Sequence, residues 1–318
     1  MSDLAGLKIG FFGSPIFSLK FLEELERNKA NILFVVTQPP SRSGRGKEKN
    51  LTSVHAWAKE KKINIYTPIS TNEDDFYNAL KKIKVDIAVV VAYGKIINER
   101  IINLPKYFMI NVHASLLPRW RGAAPIHRAI LSGDKRTGVT IMRVVKGLDL
   151  GPSICECEIK ISEKDTLGSL SEKIEQKGKP LMIKAIKKIL TGNYDFKPQD
   201  SSKATYAEKI DKLETKIRWT ESAEKINLKI RAFNPFPGAW TILGNSGERI
   251  KILKGKVLDS CGEFANKKNL KNGSLSKTLV VKCQKGFIQV EELQKPGKKK
   301  ISNKDFLNSN RVLEDYFE

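Results

Sequence analysis

Residues 111–125, NVHASLLPRWRGAAP, decide the predicted fold and contain the first candidate for a functional site. The apolar run over 108–112 predicts a buried strand that ends as this stretch begins. Pro125, at the other end, is typical of the first position of a helix. Asn111 and His113 lie two residues apart at the strand end, so their side chains would point to the same face. Ligands of open α/β sheets bind at the carboxyl ends of strands, and this pair is therefore a candidate site.

Strands and helices alternate on both sides of this stretch, from residue 7 to about residue 190. Strands are predicted over 7–12, 31–37, 63–66, 87–92, 108–112, 139–144 and 154–159, and helices over 17–27, 51–62, 74–83 and 125–131. Helical periodicity over 166–190 contains Gly178 and Pro180, which predicts a kink or a break into two helices. The alternation predicts an α/β fold with a parallel-rich, Rossmann-like sheet.

The pattern changes beyond residue 203. After a predicted helix, short β-rich runs follow over 239–243, 249–253, 278–283 and 287–293. These runs are separated by Gly, Asn and Lys, which predicts a small β-barrel. The sequence therefore predicts a first domain over 1–190, a linker over 191–208 and a second domain over 209–318.

The composition is that of a globular protein without a membrane span. Hydrophobic residues make up 40% and charged residues 29% of the 318 residues, and no run of apolar residues is long enough for a spanning helix. The N-terminal residues lack the basic and apolar regions of a secretory signal. The four cysteines follow the spacing of neither a zinc site nor a disulfide framework, so reduced thiols and a cytoplasmic location are expected.

The formal net charge of +22 favours an anionic partner such as nucleic acid. The chain is also rich in Lys, Asn and Ile, and a genome of biased base composition would produce the same charge without such a partner. Residues 38–50 form a polar, glycine-rich loop in which Arg42, Arg45, Lys47 and Lys49 suit phosphate groups. A solvated loop without a ligand is the alternative interpretation.

Asp149 follows a later strand, in a turn between Gly147 and Gly151, and is the third candidate residue. If Asn111, His113 and Asp149 converge, they supply hydrogen-bond donors for an oxyanion and a carboxylate that orients the histidine or accepts an amine proton. Such a set suits acyl transfer through a tetrahedral intermediate. The alternative is that Asn111 and Asp149 are turn residues and that His113 is a hydrogen-bonded loop histidine.

The usual nucleophile of acyl transfer is missing beside these residues. Ser115 lies two residues after His113, but not within a Gly-x-Ser-x-Gly elbow. Direct attack by a substrate amine is therefore expected rather than an acyl-enzyme. One His and one Asp also fall short of a usual ligand set, so no metal is expected.

The run from Asn111 to Pro118 resembles the signature of the folate-dependent formyltransferases. That family has an asparagine, a histidine in a His-x-Ser-Leu-Leu-Pro run and a later aspartate in a Gly-x-Asp-x-Gly turn. The resemblance implies catalytic roles for the matching residues Asn111, His113 and Asp149. The folate-binding residues that it implies are Ser115, Leu116, Leu117, Pro118, Tyr93 and Gly94.

Similar runs at 118–126, 204–209 and 230–238 extend the resemblance over nearly the whole chain. They indicate the branch of the family that transfers a formyl group from 10-formyltetrahydrofolate to methionyl initiator tRNA. The resemblance implies a Rossmann-like catalytic domain, a linker and a C-terminal barrel like an oligonucleotide-binding (OB) fold, in a monomer. The tRNA-binding residues that it implies are Arg42, Arg45, Lys47, Lys298, Lys299 and Lys300. Pro40 and Glu48 depart from the usual pattern of the basic loop, which leaves the contacts of this loop undecided.

Two other interpretations stay open. A formyltransferase that acts on an amino-sugar nucleotide or on glycinamide ribonucleotide would share the donor site, although the basic loop over 38–50 would then lack a purpose. A non-catalytic RNA-binding protein on the same fold would not need Asn111, His113 and Asp149 together.

Overall fold

The computed structural model describes residues 4–42, 49–265, 269–309 and 316–318. These residues form two compact units. The first consists of the described residues of Met1–Pro125, Arg136–Lys160 and Ser171–Glu208, and the second of those of Ile126–Lys135, Ile161–Leu170 and Lys209–Glu318. The domain limits predicted at residues 190 and 208 remain predictions.

Strands and helices alternate along the first part of the chain, and strands dominate the last part. The strands are β1 (Lys8–Gly13), β2 (Asn31–Val36), β3 (Ser41–Arg42), β4 (Lys49–Asn50), β5 (Asn64–Tyr66), β6 (Ile87–Val91), β7 (Met109–His113), β8 (Arg121–Gly122), β9 (Arg136–Arg143), β10 (Ser153–Lys160), β11 (Tyr206–Ala207), β12 (Ala239–Leu243), β13 (Glu248–Leu258), β14 (Val280–Lys282), β15 (Phe287–Gln294) and β16 (Lys300–Ser302). The helices are α1 (Ile16–Arg27), α2 (Ser53–Glu60), α3 (Asp74–Lys81), α4 (Glu99–Ile102), α5 (Pro125–Leu131), α6 (Leu167–Leu190), α7 (Ala223–Ala232) and α8 (Asn303–Ser309).

A seven-stranded sheet with the order β10-β9-β7-β6-β1-β2-β5 forms the centre of the first unit. The strands from β7 to β5 pair in parallel, whereas β9 and β10 pair antiparallel. Every residue of β6, with the sequence IAVVV, is buried, as expected of a central strand covered on both faces. The predicted Rossmann-like, parallel-rich sheet is confirmed.

Of the two alternatives predicted near Gly178 and Pro180, the break is wrong, because α6 is one continuous helix that includes Pro180, and the kink stays a prediction. A proline removes one hydrogen bond of a helix, but helices in proteins are stabilised mainly by packing of their apolar face. Ile174 before the proline and Met182 and Ile186 after it are all fully buried. The apolar stripe therefore continues past the proline and holds both halves in one helix.

An antiparallel, curled half-barrel sheet forms the second unit, and this confirms the predicted small barrel. Its strand order is β12-β13-β15-β14, and β16 also pairs with β15. β15 pairs with β14 through its first residues and with β16 through its last. The largest fully buried side chains of its core are Phe233, Phe306 and Phe317.

The predicted linker contributes a strand to the first unit. Tyr206 and Ala207, which form β11, pair in parallel with Arg121 and Gly122 of β8. Main-chain hydrogen bonds also join Ser153 and Lys197 in both directions, each at 2.9 Å. The segment over 197–207 thereby lies against the start of β10 at Lys197 and against the stretch over 111–125 from Gln199 to Ala207.

Candidate active site

β7 presents Asn111 and His113 on the same face of the sheet. Asn111 pairs with Val90 of β6, and His113 pairs with Thr140 of β9. The strand is apolar at Met109, Ile110 and Val112, so its burial between two neighbours follows from the sequence. Asn111 is half-buried, whereas His113 is only 5% exposed.

β9 brings Asp149 to this face, because it runs antiparallel to β7. Its last residue, Arg143, pairs with Ile110, and the N–H of Val144 donates to the carbonyl oxygen of Met109, so the loop that follows β9 begins within two residues of Asn111. Asp149 has a φ of 52°, a left-handed conformation that aspartate adopts more readily than most residues. Position 151 requires glycine, because a Cβ there would overlap the carbonyl oxygen of Arg143.

The three predicted side chains converge. Asn111 Nδ2 donates to Asp149 Oδ1 at 3.3 Å, and His113 Nδ1 lies 3.6 Å from Asp149 Oδ2. The main-chain N–H of Gly122 donates to Asp149 Oδ2 at 2.8 Å. The carboxylate of Asp149 therefore contacts an amide, an imidazole and a main-chain N–H at one point.

The second ring nitrogen of His113 faces a main-chain oxygen. Nε2 lies 2.8 Å from the carbonyl oxygen of Trp120. The ring of His113 is therefore held between the Asp149 carboxylate and the main chain of Trp120. Trp120 has a φ of 65°, and its own N–H donates to Thr205 Oγ1 at 2.9 Å.

The loop over 115–118 is fixed by hydrogen bonds from within the fold. Ser115 Oγ donates to the carbonyl oxygen of Arg119 at 2.6 Å, so this hydroxyl braces the loop. Thr140 Oγ1 donates to the Ser115 carbonyl oxygen at 2.8 Å and accepts the N–H of Leu117 at 3.1 Å. The loop residues Leu116, Leu117 and Pro118 are half-buried.

Tyr93 and Gly94 follow β6 at the same edge of the sheet. The Tyr93 ring is buried against Phe12, with the ring centroids 5.7 Å apart. Burial raises the pKa of the Tyr93 hydroxyl to about 12. Its main-chain carbonyl accepts a hydrogen bond from Gln38 Nε2 at 2.9 Å. Any contact of Tyr93 with a ligand at this edge would therefore come from its main chain.

The predicted basic residues belong to two regions of the chain. Arg42 lies in β3, which pairs with β4, while Arg45 and Lys47 fall outside the described residues. Lys298 and Lys299 are exposed in the turn before β16, and Lys300 is the exposed first residue of that strand. Lys300 forms an ion pair with Glu292 at 3.2 Å.

Gln199 and Arg121 are the site residues that the sequence prediction missed. Gln199 Nε2 donates to the carbonyl oxygens of Asp149 and Gly151, at 2.8 and 2.7 Å. Its Oε1 accepts two N–H groups from the buried guanidinium of Arg121. The sequence analysis assigned Gln199 to the linker, and the nearest run that resembles the family, over 204–209, begins five residues after it.

The part of the chain that the structure describes has neither a cluster of metal ligands nor a membrane-spanning helix. That part contains no group of three or more His, Cys, Asp or Glu side chains suited to a metal ion. None of its helices has the length and the apolar composition needed to cross a membrane. Cys155, Cys157, Cys261 and Cys283 are free thiols.

Known proteins match both parts of the chain. The family model described as formyl transferase matches residues 7–186, and the one described as formyl transferase, C-terminal domain, matches residues 209–311. The chain belongs to the formyl transferase family. In this family member, the three converging residues of the candidate site lie within the first matched range.

Relatives of this formyl transferase are similar over most of their length. A protein from Kosmotoga olearia named methionyl-tRNA formyltransferase is 41% identical over 297 residues, which cover 93% of this chain and 94% of that protein. One of the same name from Carboxydothermus hydrogenoformans is 40% identical over 314 residues, which cover 96% and 98%. A crystal structure of an N-formyltransferase from Helicobacter canadensis, with folinic acid and dTDP-3-aminofucose, has a TM-score of 0.65 at 20% identity. It covers 91% of this chain and 99% of that chain, and it supports the fold.

Proposed function

We propose that this protein transfers the formyl group of 10-formyltetrahydrofolate to the α-amine of methionyl initiator tRNA. The observation that carries the proposal is the convergence of Asn111, His113 and Asp149 at one point of the first unit. The names of the relatives at about 40% identity support the choice of methionyl-tRNA as the acceptor.

Asn111 and His113 would stabilise the oxygen of the formyl group as the amine attacks. Attack on a formyl carbon turns its carbonyl oxygen into an oxyanion, which hydrogen-bond donors in a fixed position stabilise. The Asn111 amide has two N–H donors, and Asp149 accepts only one of them. When the tetrahedral intermediate collapses, the bond between the formyl carbon and the folate nitrogen breaks, and Asn111 and His113 would assist the movement of a proton to that nitrogen.

Asp149 would orient His113 and accept the proton that the attacking amine loses, directly or through water. Its carboxylate is 14% exposed, so it is accessible but partly shielded from water. Ser115 Oγ donates a hydrogen bond to the main-chain oxygen of Arg119, so the hydroxyl cannot act as a nucleophile in this conformation. The chemistry therefore proceeds by direct attack of the amine, with no acyl-enzyme.

The loop over 115–118 would bind the folate. When bound, 10-formyltetrahydrofolate supplies the activated formyl group. The half-buried Leu116, Leu117 and Pro118 offer an apolar wall, and the two hydrogen bonds of Thr140 hold that wall in place. Main-chain groups of Tyr93 and Gly94 would contact the same molecule. These residues therefore fit a flat, partly apolar ligand with polar edges.

Basic residues would bind the phosphates of the tRNA. We assign this role to Arg42, Arg45 and Lys47 of the basic loop and to the exposed Lys298, Lys299 and Lys300. Lysine and arginine contacts to phosphate provide affinity without reading sequence. The monomeric state that the resemblance implies stays a prediction.

One assay tests the proposal. The full chain is incubated with 10-formyltetrahydrofolate and methionyl initiator tRNA, and formylmethionyl-tRNA is measured after acid precipitation. Uncharged tRNA and an amino-sugar nucleotide serve as alternative acceptors. Formylmethionyl-tRNA as the main product is expected. Formylation of the sugar nucleotide alone, or tRNA binding without turnover, would overturn the proposal.

A further inference from the structure

The side chain of Gln199 forms hydrogen bonds both with the turn that contains Asp149 and with Arg121 of β8. We propose that Gln199 is a positioning residue: it fixes the turn over 149–151 so that the Asp149 carboxylate stays against His113. This inference rests on the proposed function, because it concerns the same reaction.

The amide of Gln199 uses its full hydrogen-bonding capacity. Its NH2 group donates to the carbonyl oxygens of Asp149 and Gly151, at 2.8 and 2.7 Å. Its Oε1 accepts from Arg121 Nε at 3.0 Å and from Arg121 Nη2 at 2.8 Å. A glutamine amide has two N–H donors and two acceptor lone pairs, so all four are occupied.

Arg121 determines the orientation of the Gln199 amide. A guanidinium has donors and no acceptor, so the carbonyl end of Gln199 must face Arg121 and the NH2 end must face the turn. Arg121 is only 2% exposed, and its guanidinium also donates to Ser201 Oγ at 3.4 Å. A buried guanidinium that lost the Gln199 oxygen would be left with this weak contact, so rotation of the amide is disfavoured.

β8 thereby holds the Asp149 turn at two points. The N–H of Gly122 donates to the Asp149 carboxylate, while the neighbouring Arg121 acts on the main chain of the turn through Gln199. β8 is itself fixed from the segment that contains Gln199, because the N–H of Arg121 donates to the carbonyl oxygen of Thr205 at 2.9 Å. The segment over 199–207 therefore supports the turn in two ways. The side chain of Gln199 contacts the turn directly, and the main chain of Thr205 holds β8, which contacts the Asp149 carboxylate.

The turn needs this support because of its conformation. Asp149 has a positive φ, which is less favourable for aspartate than for glycine. Without the two donors from Gln199, the carbonyl oxygens of Asp149 and Gly151 would turn towards water and the carboxylate would move away from His113. A displacement of about 1 Å at a reacting group lowers a rate about 100-fold.

Two substitutions separate positioning from folding. Gln199→Leu removes both the donors and the acceptor at similar size. Gln199→Glu keeps oxygen acceptors for Arg121 and forms an ion pair with it, but offers no donor to the turn. Gln289→Leu is the matched control, because Gln289 Nε2 also donates to main-chain oxygens, those of Thr278 and Val290, in the second unit.

The variants are compared by kcat, by KM for each substrate, by the pH profile of kcat, and by the ring-proton NMR signals of His113. The chain has three histidines, so these signals can be assigned with a His113→Gln variant. We expect kcat to fall about 30-fold in both Gln199 variants, KM to change less than about twofold, and the pH profile and His113 signals to change. Gln199→Glu is expected to remain folded, which thermal unfolding measures, and Gln289→Leu is expected to keep its kcat.

The inference is overturned if Gln199→Glu keeps kcat within about threefold of wild type with an unchanged pH profile. It is also overturned if both Gln199 variants lose activity only in proportion to their unfolded fraction, because Gln199 would then be a purely structural residue. If Gln199→Leu fails to fold, the kcat, the pH profile and the His113 NMR signals of Gln199→Glu test the inference instead. Absence of transfer in the wild-type chain would instead overturn the proposed function.

Discussion

Asp149 combines two demands on one residue, a carboxylate that faces His113 and a left-handed backbone with a φ of 52°. Glycine would adopt this backbone more readily but would supply no carboxylate. Asparagine also tolerates left-handed conformations, so Asp149→Asn changes the chemistry while it preserves the turn. This makes Asp149 the most informative single position of the candidate site.

Asp149→Asn is expected to lower kcat for formyl transfer by about two to four orders of magnitude, while the unfolding temperature falls by only a few degrees. The amide cannot accept the amine proton, and one of its N–H groups would face a donor, either Gly122 or Asn111. Steady-state kinetics and thermal unfolding measure the two effects. Substitution of the exposed Asp259 by Asn is the control and should change neither. Near-normal turnover of Asp149→Asn would rule out its proposed role.

His127, in the second unit, is expected to make stability depend on pH. Burial lowers the pKa of His127 from its usual value of 6.5 to about 4, and the nearby Arg128 acts in the same direction. The unfolded chain therefore binds a proton on His127 between about pH 6.5 and pH 4 that the folded chain does not bind. The stability that a neutral His127 provides is fully present above this range and is lost as the pH falls through it.

His127→Gln removes this titration. Wild type should lose up to about 2 kcal/mol more of its free energy of unfolding between pH 7 and pH 5 than the variant does. Urea unfolding at the two pH values measures the difference. Equal losses in both proteins would show that His127 titrates normally in the folded chain.

At the scale of elements, close packing of two strands near the site depends on Gly138 in β9. A Cβ at this position would overlap the carbonyl oxygen of Cys157 in β10 and lie 2.5 Å from Leu116 Cδ2. Gly138→Ala is therefore expected to reduce stability by about 1–3 kcal/mol and to lower formyl transfer through displacement of Leu116. Gly262→Ala is the control, since a Cβ added at Gly262 would meet nothing within 4 Å. Equal stability of the two variants would contradict this account.

The last residues of the chain complete the half-barrel. Phe317 is 1% exposed and stacks on Trp219, with their ring centroids 5.7 Å apart. Phe317→Ala should leave a cavity and reduce the stability of the second unit by about 3–5 kcal/mol. Tryptophan fluorescence during urea unfolding measures this change. Phe236→Ala is the control, because Phe236 is 74% exposed and should change stability by less than about 0.5 kcal/mol.

At the scale of the whole molecule, the net charge of +22 has two explanations, phosphate binding and biased composition. If about four phosphates of the tRNA are neutralised, its dissociation constant should rise about 100-fold between 50 and 200 mM salt. Filter binding with methionyl initiator tRNA measures this dependence. The KM for 10-formyltetrahydrofolate is the internal control and should change much less. A dissociation constant independent of salt would favour the compositional explanation.

The sequence by itself determined the order of strands and helices and the position of the Asn111–His113 pair. Buried parallel strands are continuous apolar runs, so β6 and β7 were recognisable without neighbours. The period of two residues along a strand then places both side chains on one face. The break predicted at Pro180 was wrong because local proline geometry was outweighed by burial on both sides of it.

Only the tertiary structure decided what surrounds that pair. Asp149 lies 38 residues from Asn111 and reaches it because β9 returns antiparallel to β7. Gln199 lies 50 residues from Asp149 and 78 from Arg121, in a segment without periodicity. Hydrogen bonds of single side chains across such separations leave no repeating pattern in a sequence. They depend on which strands pair, and pairing is a property of the folded chain.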